Sequence, residues 1–332
     1  MADYKTLHGS HIEVVASDPS NPVAGQVWYN TSSNVMKGFT SNPAGSWASG
    51  GDLNTARSDL GGAGATKDAA LGFGGSPPPA PTAKAITESY NGSTWTEVAD
   101  FNTARAYCAG AGTYTSAVAS GGDQLSGTSE SWNGSAWTNI TSSNNPQPSK
   151  GGAGADNENA LFFGGAPYGN TALNEHWNGS SWTELADLNT ARSDMAGVGK
   201  TYTAAIAATG LKSGGSEAPE CESWNGTSWT EVADVNTARG YVSGDGTSTS
   251  GLIYAGVSAT PARVANAESW NGTAWTEVGD LSTARNGGPL GGAGSGNTNA
   301  LMFGGTTGSV SVATEEFTSP TETTVTFNAT DV

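Results

Sequence analysis

Histidine, cysteine and basic residues are scarce in this sequence, and each shortage removes a class of function. There are three histidines in 332 residues. His8-x-x-His11 lies outside the repeated part of the chain and His176 stands alone, so no set of metal ligands assembles. The two cysteines, Cys108 and Cys221, fall in different repeats at non-equivalent positions. They read as buried small apolar residues, not as a disulfide framework. Lys and Arg total 13 against 30 Asp and Glu, a formal net charge of −17. That leaves no basic face for nucleic acid and disfavours anionic membranes. No apolar run is long enough to span a bilayer, and residues 1–22 contain no apolar signal core. The chain is therefore expected to stay in the cytoplasm where it is made, unless a larger particle carries it out. P-loop, dinucleotide and nucleophile-elbow motifs are missing, and no titratable pair stands apart from the repeat. No catalytic, cofactor-binding or metal-binding residues are assigned, and no enzyme is expected.

What the chain does have is glycine, 48 residues, about twice the usual share. Its tryptophans fall in register. The Trp of a Trp-Thr-Glu element recurs at Trp95, Trp182, Trp229 and Trp275, with Trp137 and Trp47 as related copies, at intervals of 42 to 48 residues. This period fits a four-stranded propeller blade. Within one unit, a small-residue segment such as Ser193–Gly199 precedes an apolar run such as Ala160–Gly165 in its neighbour. A variable stretch follows, then Glu-Ser-Trp, a turn and Trp-Thr-Glu. Four short extended segments separated by turn residues are predicted, with no lasting helical period. The first strands are almost wholly Gly and Ala, as expected where backbones crowd at a central channel. The pairs Asn91-Gly92, Asn133-Gly134, Asn178-Gly179, Asn225-Gly226 and Asn271-Gly272 predict two-residue type I′ hairpin turns.

The Gly-Gly doublets at Gly74-Gly75, Gly121-Gly122, Gly164-Gly165 and Gly304-Gly305, the first three followed by a spaced aromatic and a Trp and the last by an aromatic without a Trp, resemble the kelch-repeat family. In two units the doublet is degraded, to Thr209-Gly210 and Ala255-Gly256. The resemblance covers residues 50 to 317 and implies an all-β propeller. Six second strands are counted. Trp47 shares the spacing to Asp52 and Arg57 that Trp95 has to Asp100 and Arg105, so it is expected to supply the outer strand of the last blade. Six four-stranded blades closed by this N-terminal strand is the expected fold. A composite seventh blade, using the third-strand-like residues 35–39 and 313–317, is the alternative. The series Arg57, Arg105, Arg192, Arg239 and Arg285, with Gln147 in the third unit, reads as a local Arg–carboxylate pair, exposed and architectural, that recurs because the blade does.

Residues 1–50 follow another pattern. Gly25, Trp28, Tyr29, Asn30, Met36, Lys37, Phe39 and Trp47 resemble a short hairpin module of bacteriophage tail fibres and other virion proteins. The repeats also resemble predicted structural proteins of cyanophages. The expected division is an attachment segment at 1–50, with Trp28, Tyr29 and Phe39 as candidate residues of its module and its last strand around Trp47 joining the propeller, and a propeller at 51–332. Second-to-third and fourth-to-first loops should share one face, and the second-to-third loops vary most. Pro78, Pro79, Tyr168, Leu211 and Arg263 are the candidate binding residues there. These resemblances imply a non-enzymatic virion component, an appendage or a surface decoration. Its partners would be other virion proteins through the N-terminal segment and a host surface glycan or protein, with homo-oligomerisation. A soluble cellular protein-binding module is the alternative, and a carbohydrate-active enzyme the third reading. No cofactor, nucleic acid or membrane insertion is expected.

Overall fold

A computed structural model describes residues 12–23, 25–42, 44–77, 82–123, 127–166, 169–259, 262–288, 296–319 and 321–327. None of the described residues is helical, so no helix among them could cross a membrane. The chain forms two compact units: Met1–Gly45 together with Pro320–Val332, and Ser46–Ser319.

The larger unit is a six-bladed β-propeller. Blade 1 consists of Gly61–Thr66, Ala69–Phe73, Thr87–Tyr90 and Trp95–Glu97. Blade 2 consists of Ala109–Thr113, Ser116–Ser120, Ser129–Trp132 and Trp137–Ile140. Blade 3 begins at Gly151–Asp156, blade 4 at Ala196–Thr201 and blade 5 at Ser243–Thr247; each repeats the same antiparallel order. Successive first strands touch from blade 1 through blade 5, and Asn299–Phe303 of blade 6 touches the first strands of both blade 5 and blade 1. The ring is therefore closed. Blade 6 has three described strands, Asn299–Phe303, Thr314–Thr318 and Ser46–Ser49; its Gly-rich first segment at 289–295 lies outside the described residues.

Aromatic pairs set the register of every outer hairpin. Tyr90 pairs with Trp95, Trp132 with Trp137, Trp177 with Trp182, Trp224 with Trp229, and Trp270 with Trp275. Phe317 and Trp47 make the sixth pair, as the spacing of Trp47 predicts. The Trp47 indole also donates to the Gly279 carbonyl, 2.9 Å away on blade 5. This register overturns the type I′ expectation. Because the aromatic residues themselves pair, four residues remain in each loop, not two. In blade 1 they are Asn91 to Thr94: the Asn91 side chain accepts from the Ser93 and Thr94 amides at 3.0 and 2.9 Å. Gly92 takes a positive φ and Asn91 does not. The Asn acts through its side chain, as an Asx turn, and the Gly through its backbone.

At the axis the first strands nearly touch. A Cβ on Gly110 would lie 2.2 Å from the Gly62 carbonyl, and one on Gly152 would lie 2.4 Å from the Gly110 carbonyl. Small residues are thus required there by the approach of neighbouring backbones.

The arginine series is buried, which corrects the expectation of exposed pairs. Arg57, Arg105, Arg192, Arg239 and Arg285 are all 0–1 % exposed and pair with Glu88, Glu130, Glu222, Glu268 and Glu315. Within blade 1 the guanidinium also donates to the Gly74 and Ile86 carbonyls, at 2.7 and 2.8 Å. The second Glu88 oxygen accepts from the Asn54 amide and side chain, at 2.7 and 2.8 Å. The pair therefore clamps the incoming connection to the third strand of the same blade. Meanwhile the Arg carbonyl reaches the previous blade: Gly75 donates to Arg105, and Gly305 of blade 6 donates to Arg57, both at 2.9 Å. The Gly-Gly doublet makes this possible. Both of its residues have positive φ in all six blades, including Thr209 (55°) and Ala255 (63°) where glycine has been replaced. Blade 3 solves the problem differently. Gln147 holds the Arg position, Glu175 accepts from the Asn144 and Asn145 amides at 2.8 Å, and a buried Lys150 binds Ser120, Ser143 and Asn145. Burial pulls the Lys150 ammonium down to about 8.

The smaller unit is one sheet with the order Glu13–Val15, Val27–Asn30, Val35–Asn42, Thr321–Phe327; its first pair is parallel and the rest antiparallel. Two expectations change here. Residues 35–42 belong to this sheet and do not start a seventh blade. Thr321–Phe327, assigned by sequence to a propeller ending at 332, pairs with Val35–Asn42, because the chain has already completed blade 6 at Thr318.

Candidate functional site

Two residues beyond each repeated arginine, and beyond Gln147 in blade 3, the chain turns into the first strand at the mouth of the channel. Asp59, Tyr107, Ser149, Asp194, Tyr241 and Gly287 occupy this position in blades 1 to 6. All six are left-handed, with φ of 58°, 57°, 59°, 52°, 57° and 65°. Five are not glycine, and each such residue costs about 1–2 kcal/mol in this conformation. Backbone bonds run from one to the next: Tyr107 donates to Asp59, Ser149 to Tyr107 and Asp194 to Ser149, at 2.8, 2.9 and 3.0 Å. Asp59 donates to Gly287 at 2.7 Å, and the Asp194 carbonyl accepts from Val242 at 3.4 Å. The backbone is thus repeated around the axis while the side chains differ. In a ring of six, Asp59 stands opposite Asp194, and Tyr107 opposite Tyr241.

A cavity of about 610 Å³ opens over part of this ring, lined by Tyr107, Ser149, Asp194 and Tyr241. Its outer wall comes from second-to-third loops: Asp123 of blade 2, Gly169 and Asn170 of blade 3, and Leu211 to Gly215 of blade 4. Short bridges hold the two loop types together, Ser193 with Leu211 and Gly240 with Val257. Asn170 donates its side-chain amide to the Leu211 carbonyl, tying the loops of blades 3 and 4.

The electrostatics of the mouth are those of carboxylates out of water. Burial pushes Asp194 up to about 6, and the charge of Asp59 adds to the shift against the hydroxyls of Ser149 and Ser193. Asp59 is also raised by burial, with the Ser58 and Tyr107 hydroxyls opposing. The Asp194 carboxylate raises the Tyr241 phenol, and burial followed by Asp59 raises that of Tyr107. Among the described residues no ion pair reaches either aspartate. Lys212, on the cavity wall, pairs with Glu220 instead.

Deeper in the channel, Lys200 of blade 4 donates to the Gly64 carbonyl of blade 1 at 2.7 Å. It spans the axis, and desolvation lowers its pKa. The thiols of Cys108 and Cys221 are buried, free and pushed up to about 11 and 12, so neither is a nucleophile at neutral pH. His176 lies in the strand Asn174–Trp177, half-buried and stacked on Tyr202 at 3.9 Å. Among the described residues no group of three or more His, Cys, Asp and Glu could hold a metal ion.

Of the binding residues expected from sequence, Leu211 lines the cavity. Arg263 does not: it is exposed on the hairpin formed by Val257–Ser258 and Ala262–Arg263, and donates to Asn286 at 2.8 Å. Pro78, Pro79 and Tyr168 lie outside the described residues, as do His8 and His11. The ring at the mouth escaped the sequence reading. Its signal is a residue that varies at a fixed offset from a repeated arginine.

In the smaller unit, Trp28 and Phe39 are buried and build the sheet, while Tyr29 is half-buried. Their organising partner is Asp18. It accepts from the Trp28 indole at 3.0 Å, from Asn30 at 2.6 Å and from the Lys37 ammonium at 2.7 Å. The Lys37 bond, followed by those of Asn30 and Trp28, holds the Asp18 carboxyl down at about 2. The Trp, Asn and Lys of the N-terminal pattern are thus the three donors to one carboxylate.

No protein-family model and no curated protein matches this chain.

Proposed function

We propose that this chain is a non-enzymatic virion structural protein of a phage, a kelch-like propeller that recognises its target through the loop face around the axial cavity. The observation that carries the recognition role is the division of labour within each repeat. The repeated Arg, Glu, Asn and Trp are consumed in clamps and pairs, whereas the side chains at the mouth differ from blade to blade on a constant backbone. Variation on a fixed frame is how repeat proteins present a binding surface. The virion setting rests on the resemblance of the Trp28-Tyr29-Asn30 hairpin to phage tail-fibre modules. Attachment would use the smaller unit. Neither outer strand of its sheet has a further partner among the described residues, and Val14 and Phe327 on those strands are 61 % and 42 % exposed. Open edges of this kind pair readily with another chain. As an appendage or decoration component, the chain would meet a host glycan or protein at the propeller face.

Mass spectrometry and immunolabelling of purified particles test the setting. The chain is expected in the particles at a fixed copy number. Its absence from them, with a monomer recovered from host cytoplasm on a cellular partner, would replace this reading with that of a soluble protein-binding module.

A further inference from the structure

The mouth of the channel carries two carboxylates and two phenols on a frame that fixes their positions. Asp194 is 6 % exposed and lines the cavity, with Tyr241 on the next blade and Tyr107 two blades back, across the axis from Tyr241. Asp59 faces it across the axis and acts on it through charge. The other charged groups at this cavity are Asp123, exposed at the rim, and Lys212, which is paired with Glu220. The field inside is therefore negative, and among the described residues no cation offsets it at the ring.

We propose that this cavity binds an organic cation, an ammonium group carried by a lysine side chain or by a free amine, between Tyr107 and Tyr241 with Asp194 as its counter-ion. Three properties of the site favour this ligand over a neutral sugar or an anion. An ammonium supplies the opposite charge that two desolvated carboxylates lack. Phenol faces attract cations, and more strongly where water is excluded. An ionised carboxylate can only accept hydrogen bonds, so the N–H donors of an ammonium add to those the two aspartates already receive from Ser58 and Ser193. The volume, about 610 Å³, admits a lysine-sized chain together with part of the segment that bears it. This inference deepens the recognition role proposed above. It needs only the purified protein, so it stands or fails separately from the presence of the chain in particles.

The coupling between ligand and proton makes the test sharp. Asp194, raised to about 6, must be ionised to serve as counter-ion, so binding weakens as pH falls through that value. At pH 5 roughly one-tenth of such a group is ionised, and affinity should drop about tenfold from its value at pH 7.5. Asp59, raised in the same direction, steepens the loss, whereas Tyr107 and Tyr241 stay neutral throughout this range.

Calorimetric titration of the full chain would use Nα-acetyl-lysine methylamide, 1,5-diaminopentane and the neutral Nα-acetyl-norleucine methylamide. Either amine should bind and the norleucine compound should not. Tighter binding of the lysine compound assigns the source to a protein side chain; tighter binding of the diamine assigns it to a free amine. Asp194→Asn should weaken the amines at least about tenfold. Asn tolerates the left-handed conformation at this position, so the fold survives, and an unchanged thermal transition checks that. Carboxyl NMR of the wild-type chain should show the Asp194 pKa falling when amine is added. Failure of both amines to bind at millimolar concentration, equal binding of the norleucine compound, or an Asp194→Asn variant with wild-type affinity would each overturn the proposal.

Discussion

Arg192 and Asp194 are two residues apart, yet they obey different rules. The arginine position is filled by arginine in five of six blades, is buried, and is bound to a glutamate of its own blade. The position two residues later keeps one backbone conformation in all six blades but carries four different residue types, with Asp and Tyr each used twice. The first position serves the ring by being identical; the second can serve a ligand because the ring does not depend on what it carries. A repeated charge is thus a poor pointer to function in this molecule. A repeated backbone with an unrepeated side chain is the better one.

Mutations can break or sharpen this contrast. The largest effect is expected at a clamp: Glu130→Ala leaves Arg105 buried without its partner and should destabilise the propeller by about 3–5 kcal/mol in chemical denaturation. Next, Gly152→Ala drives a methyl group into the Gly110 carbonyl and should cost about 1–3 kcal/mol, read as a lower Tm. The mouth should respond with the opposite sign. The folded pKa of Asp194 is raised to about 6, so between its unfolded value and 6 the native state binds more protons, and stability falls as pH rises. Above pH 6 the ionised carboxylate is a net burden, and Asp194→Asn should stabilise the fold by about 1–2 kcal/mol at pH 7.5 and by little at pH 4. Urea melts at the two pH values decide this; a loss of stability at pH 7.5 would show that the ring needs its side chains after all. The smallest change is expected from Ala255→Gly. It relieves a left-handed alanine within a doublet but loosens the unfolded chain, and the net shift should stay within about 1 kcal/mol.

The all-β class, the number of blades and the closing role of Trp47 were legible because they rest on period and spacing, which a sequence carries directly. The turn type was not. Asn-Gly favours a two-residue loop in isolation, but the pairing of Tyr90 with Trp95 leaves four residues, and tertiary aromatic packing overrides the local preference. Burial of the arginines was hidden for a similar reason: nothing in the local sequence says that the glutamate about thirty residues later closes over the guanidinium. The mouth was the least legible part. Tyr107 and Ser149 have no left-handed tendency of their own, unlike Asp; the backbone bonds to the neighbouring blades hold them there. Asp18 was likewise silent, although its three donors were all in view.

The pairing of Trp47 with Phe317 joins residues about 270 positions apart, a separation of the kind that slows folding. As the chain leaves the ribosome, Ser46–Ser49 is made before any blade and finds its partner only when Thr314–Thr318 arrives. Until then five blades stand as an unfinished arc with exposed edges at both ends, a state prone to pairing with its neighbours. Nicking the chain just after Ser49 leaves that strand held only by its pairing with Thr314–Thr318, and should make the ring easier to open and stickier without removing a single residue of the first five blades.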